Sequence, residues 1–265
     1  MIEKKYYKKA VLIGLLVLGA CSHATTPSQN WTDDTYISLM ETGSDMVDEN
    51  RIQAAIPFYQ QSLTRAFQAG DTESITISSY NLALSQLRNG DAPSALKTVK
   101  KAQLSLQQHG IEKISVHLAL IKGVILNAQN KWEESQKALE PCFLAKNIEI
   151  KTHAFYIKGL NDFSLKNSEA LQKDIHDISV ISEKNNVENE NEDELKIREQ
   201  ILQGNYNNAE KAAEILVSKR RLHHEYAPMR DALSLEAEAL ERAGNSKKAQ
   251  NFRLQVIESK KASVL

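Results

Sequence analysis

From Trp31 onward, apolar residues recur every three or four positions in stretches of about fifteen, separated by short polar breaks. This is the period of amphipathic helices that bury one face. The segment 78–102, SSYNLALSQLRNGDAPSALKTVKKA, shows it most clearly, with helical spacing on both sides of Asn89-Gly90-Asp91. It predicts two helices joined by a tight turn. Asp91 is placed to cap the second helix by accepting from its free N–H groups, and Pro93 falls in the first turn, where its missing N–H has no partner.

The same arrangement recurs along the chain. Ala83, Ala95, Val99 and Ala102 are spaced by twelve, four and three residues, and these spacings return in Gly43, Ala55, Tyr59 and Ser62 and in Gly123, Ser135, Leu139 and Cys142. Further copies read Gly159, Leu171, Ile175 and Ile178; Ile197, Ala209, Ala213 and Leu216; and Ala237, Ala249, Arg253 and Val256. Successive copies are offset by 40, 40, 36, 38 and 40 residues. In five of the six, a turn sequence such as Gln-Asn-Lys, Lys-Asn-Ser or Gly-Asn-Ser stands just before the second helix.

These spacings resemble the tetratricopeptide repeat (TPR), in which small residues let two antiparallel helices approach and a larger apolar residue locks them. The resemblance implies an all-α solenoid of about six divergent helical hairpins, about twelve helices, over residues 31–265. No single hairpin can bury its apolar face, so neighbours must stack. Departures are visible: the period exceeds the usual 34, the family's Trp near the start of the first helix is missing, and no copy carries the proline that often ends the second. Pro57 and Pro141 fall in or near second helices, which should start late or bend there. Arg253, where a large apolar residue is usual, suits a closing cap.

The chain's first 30 residues are different. Four lysines precede an eleven-residue apolar run at 10–20, too short for a bilayer, which needs about 20 residues. Leu18-Gly19-Ala20-Cys21 resembles the lipobox of bacterial lipoprotein signal peptides. The resemblance implies a signal peptide at 1–20, a covalent lipid on Cys21 as the only attached group, and a polar tether over 21–30. Ser22 after the cysteine then implies the outer membrane, facing the periplasm, with the membrane engaged through the lipid anchor alone.

Composition narrows the function. The chain has 33 basic and 34 acidic residues, 42% hydrophobic content, 10 Gly and 5 Pro, which excludes a disordered or collagen-like chain. Without residues 1–20 the balance falls to 29 basic against 33 acidic, so no basic footprint for nucleic acid is expected. With Cys21 lipidated, Cys142 is an odd thiol, either reactive or a small buried residue, and its repeat position favours burial. Residues 182–194, SEKNNVENENEDE, hold six acidic groups and one lysine. An acidic loop near 183–194 is expected between the fourth and fifth hairpins, either simply solvated, with its acidic end favourable at the start of the next helix, or a dock for a basic partner.

The family binds peptides along the face of its first helices. Carried onto this chain, the protein-binding groove would hold Ile77, Tyr80, Asn81 and Arg88, then His117, Asn127, His153 and Tyr156, with Arg198 following. Aromatic area mixed with a few donors suits an extended peptide or a partner helix. Metal is not expected, because His223 and His224 point about 100° apart on a helix and no His pair stands at i, i+4. No phosphate loop, nucleophile elbow, H-E-x-x-H or cysteine pair occurs, so the chain reads as a non-enzyme. Two roles compete: an assembly factor similar to the repeat-containing pilotin lipoproteins that carry secretin subunits of type IV pili, and an adaptor recruiting peptidoglycan-remodelling enzymes. A structural envelope protein is the further alternative.

Overall fold

The computed structural model describes residues 31–262. The expected signal peptide, Cys21 and the tether lie outside the described residues. Twelve α-helices follow one another and, among the described residues, there is no strand: α1 (Asp34–Asp48), α2 (Ile52–Ala69), α3 (Thr72–Arg88), α4 (Ala92–Gln108), α5 (Val116–Ala128), α6 (Trp132–Leu139), α7 (Ile148–Ser164), α8 (Ser168–Asn185), α9 (Glu190–Leu202), α10 (Tyr206–Leu222), α11 (Tyr226–Arg242) and α12 (Ser246–Ala262). None of these is long and apolar enough to cross a membrane. The chain forms two compact units that meet in sequence within α7, at Asn161 and Asp162.

All six turns inside the helix pairs are built alike. A residue with left-handed backbone sits at Asn50, Gly90, Asn130, Lys166, Gly204 and Gly244, seven positions after the first packing residue of each copy. The next residue's N–H reaches back five positions, as in Asp91 to the Gln86 carbonyl at 2.8 Å and Asn245 to the Leu240 carbonyl at 2.8 Å. This closes each first helix by satisfying carbonyls that have no partner within it. Asp91 caps α4 by accepting from the Ser94 N–H at 3.0 Å, and Asp71 and Ser115 cap α3 and α5 in the same way.

In the N-terminal unit the small positions are closed. Ala55, Ala83, Ala95, Val99, Ala102, Ser135 and Leu139 are fully buried, and Tyr59 lies directly over Gly43. Cys142 is buried, its Sγ set against the Val116 carbonyl at 3.3 Å, and burial pushes its thiol pKa up to about 12. A thiol held neutral is a poor nucleophile. The prolines behave differently from one another. α2 starts at Ile52 and runs through Pro57, so the late start expected there does not occur. Pro141, by contrast, follows the end of α6 at Leu139 and opens a 3-10 turn, Glu140–Leu144.

In the C-terminal unit, Leu171, Ala209, Ala213 and Ala249 are fully buried, and Ile197, Leu216, Leu233 and Leu235 build the core between α9, α10 and α11. Gly159, just before the boundary in α7, is also buried. Arg253 is exposed and pairs with Glu241 at 3.1 Å, while Phe252 beside it packs inward. The acidic loop expected near 183–194 shrinks to residues 186–189, because α8 continues to Asn185 and α9 begins at Glu190. The cause is a set of cations that neutralise the acidic segment as a helix face. Arg220, 1% exposed, reaches Glu194 at 2.8 Å, Glu190 at 3.4 Å and the Pro228 carbonyl at 2.8 Å. Arg198 takes the other Glu194 oxygen at 2.8 Å, Lys219 holds Asp193 at 2.9 Å, and Lys196 holds Glu192 at 2.6 Å.

Candidate functional site

The first helices α3, α5 and α7 of the N-terminal unit carry eight of the nine groove candidates. α3 is wedged among its neighbours, so a large part of its surface is buried, including Ser74, Ser78, Ser79, Asn81, Ser85 and Gln86. Thr98 satisfies Gln86 by donating at 2.8 Å. Two atoms stay without a hydrogen-bond partner: Ser79 Oγ and Asn81 Oδ1. Asn81 is 6% exposed, so its oxygen is shielded from water without an internal donor, an arrangement that costs free energy until a donor arrives.

Beside Asn81, the Tyr80 ring meets the His117 imidazole edge-on, with centroids 6.3 Å apart. Tyr80 is 7% exposed, and His117 at the start of α5 is half-buried. Burial lowers the His117 pKa, so the ring is neutral at pH 7. Ile77 is half-buried and Arg88 exposed, about two turns beyond Tyr80 and Asn81 along α3.

At the far side of α5, Asn127 donates to Asn161 Oδ1 at 2.8 Å, Asn161 donates to Ser135 Oγ at 3.0 Å, and Ser135 donates to the Gly123 carbonyl at 2.7 Å. This chain ties α5, α6 and α7 together, so Asn127 has a structural role. On α7, His153 and Tyr156 are half-buried. His153 Nδ1 lies 2.9 Å from the Glu149 carbonyl, which can only accept, so this nitrogen carries the proton. Burial lowers the His153 pKa despite the opposing influence of Glu149.

Arg198 is the ninth candidate and belongs to the C-terminal unit. Its guanidinium pairs with Glu194 and stacks over the Phe163 ring at 5.1 Å, so it contributes to the packing of that unit. His223 and His224 take separate partners, Glu190 at 3.0 Å and the Tyr226 hydroxyl at 3.3 Å. Among the described residues no three His, Cys, Asp or Glu side chains group as metal ligands. The buried ion network around Arg220 is absent from the sequence reading, although Glu190, Glu194 and Arg198 recur at four-residue intervals, the signal of one helix face.

No family model and no curated protein matches the chain. Among solved structures, a tetratricopeptide repeat protein from Parabacteroides merdae is similar, at 17% sequence identity and a TM-score of 0.53. The match covers 86% of this chain and 80% of that one. At this identity the likeness speaks for the fold: the chain is an all-helical, TPR-like array of helical hairpins.

Proposed function

We propose that this protein is a protein-binding scaffold whose N-terminal unit receives an extended segment of a partner across α3, α5 and α7. One observation carries this reading. A neutral aromatic pair, Tyr80 and His117, stands beside an Asn81 oxygen that is shielded from water and lacks a donor. A peptide main chain supplies the missing N–H, and its side chains cover the rings.

We further propose that the scaffold is a lipoprotein held by a lipid on Cys21 at the periplasmic face of the outer membrane, where it acts as an assembly factor for secretin or type IV pilus subunits. The apolar run at 10–20 ending in Leu-Gly-Ala-Cys and the array of helical hairpins support this combination. The test is a cross-linked pull-down of the lipidated protein from native outer membranes, beside a Cys21→Ser control, read by mass spectrometry. Secretin or pilus subunits in the wild-type sample alone are the expected result. Murein enzymes would replace this reading with that of an adaptor, and an empty result would leave a structural envelope protein.

A further inference from the structure

The first and last described helices carry opposite charge on their outward faces. α1 contains Asp34, Glu41, Asp45 and Asp48 and no lysine or arginine. These four recur at i, i+7, i+11 and i+14, which places them within about 60° on one side of a helix. All four are exposed, while Tyr36, Gly43 and Val47 on the opposite side are buried. α12 contains five basic residues against one glutamate. Its exposed Lys247, Leu254, Ile257 and Lys261 recur at i, i+7, i+10 and i+14, again a single stripe. Leu254 and Ile257 are 50% and 48% exposed, while Ala249 is buried. The ion pairs of this helix, Lys248 with Glu210 and Arg253 with Glu241, lie to either side of the stripe.

Each stripe runs over fourteen residues, about 21 Å of helix. Stacked hairpins bury their faces against neighbours, and among the described residues α1 packs chiefly on α2 and α12 on α11. We infer that α12 of one copy docks on α1 of a second copy, head to tail, with lysines against the acidic stripe and Leu254 and Ile257 covered between them. Such a contact is heterologous, since the two surfaces differ. Its affinity is electrostatic in large part and falls with salt.

The test is sedimentation velocity of the full chain in mild detergent at about 20 mM and about 500 mM salt. The expected result is concentration-dependent association at low salt that disperses at high salt. Two double variants separate the surfaces: Glu41→Lys with Asp45→Lys, and Lys247→Glu with Lys261→Glu. All four positions are exposed, and circular dichroism checks that each variant keeps its helicity. Each variant alone should dissociate at least tenfold more readily than wild type. An equimolar mixture should recover association, because each reversed stripe then meets an opposite charge on its neighbour. A wild type that stays monomeric at every concentration overturns the inference. So does association that survives both reversals, which would assign it to residues 1–30, or dispersal by the α12 reversal alone, which would assign the basic stripe to a different acidic surface.

Discussion

A Cβ built on Gly123 would lie 2.5 Å from Leu139 Cδ2 and 2.6 Å from its Cγ. α5 and α6 therefore meet where glycine alone fits, sixteen residues apart in sequence. Gly43 and Tyr59 stand in the same relation in the first helix pair, at 2.7 Å. Gly123→Ala should destabilise the N-terminal unit by about 1–3 kcal/mol, because the extra methyl forces a side chain off its rotamer or the helices apart. Urea unfolding measures it. Adding Leu139→Ala to Gly123→Ala should cost less than the two single changes summed, since the clash and the vacated volume offset each other. Strict additivity would show that the close approach is not what Gly123 provides.

Lys166 holds φ of +58°, where the equivalent turns at Gly90, Gly204 and Gly244 use glycine. A residue with a Cβ is disfavoured in left-handed backbone by roughly 1–2 kcal/mol. Lys166→Gly should stabilise the protein by about 0.5–1 kcal/mol, the remainder being returned as greater chain entropy in the unfolded state. A rise in the denaturant midpoint at unchanged slope checks it, and a fall would mean that the lysine side chain makes a contact of greater worth.

The spacing of small residues carried the fold because each constraint is local. Ala83, Ala95 and Gly90 fix one hairpin within about twenty residues, and the left-handed turn residues repeat at the same 40, 40, 36, 38 and 40 offsets as the packing positions. The acidic segment stands at the start of α9 as its charge suggests, but its loop is far shorter than expected, for the opposite reason. Its charge density predicts a solvated loop unless a cation is delivered, and Arg220 stands 26 residues from Glu194. Burying an arginine between two glutamates is tolerable only when all three are paired, a condition that sequence spacing does not reveal. The candidate groove divides similarly. Tyr80 and His117 meet through the stacking of α3 on α5, whereas Arg198 is already engaged by Glu194 and Phe163.

The C-terminal unit should be most stable in mildly acidic solution. Burial would raise the Glu194 carboxyl, but the charges of Arg198 and Arg220 outweigh it and hold its pKa below the ordinary 4.5. Its contribution is complete above pH 4.5 and is lost as pH falls through the lowered folded value. Glu236 works in the reverse sense. It is 3% exposed, and burial, with Glu214 nearby, raises its pKa from 4.5 to about 7. The folded state binds this proton more tightly, so stability declines as pH rises from 4.5 to 7 and then levels off. Glu236→Gln should therefore raise stability by about 1–3 kcal/mol at pH 8 and change it little at pH 4. Melting temperatures of the two proteins across pH 4–8 measure the gap, and a constant difference would mean that the carboxyl does not titrate in that window.

Exposure divides the candidate groove residues into those that can be tested cleanly and those that cannot. Arg88 is exposed at the end of α3, so Arg88→Ala should leave the melting temperature within about 1 °C, as surface changes within ±0.5 kcal/mol do. Tyr80 is 7% exposed and packs on His117, so Tyr80→Ala should cost about 3 kcal/mol of stability and confound any loss of binding. Asn81→Leu is the sharper probe. It removes the partnerless oxygen at similar volume, so it should keep or raise stability, since the apolar replacement has no unmet acceptor to bury. The same change should weaken the captured partner by about 1–3 kcal/mol, the cost of leaving that partner's N–H unpaired in the complex. Titration of the partner identified by pull-down against wild type and Asn81→Leu reads both quantities. Stability raised with affinity unchanged would place the partner's main chain elsewhere on the unit.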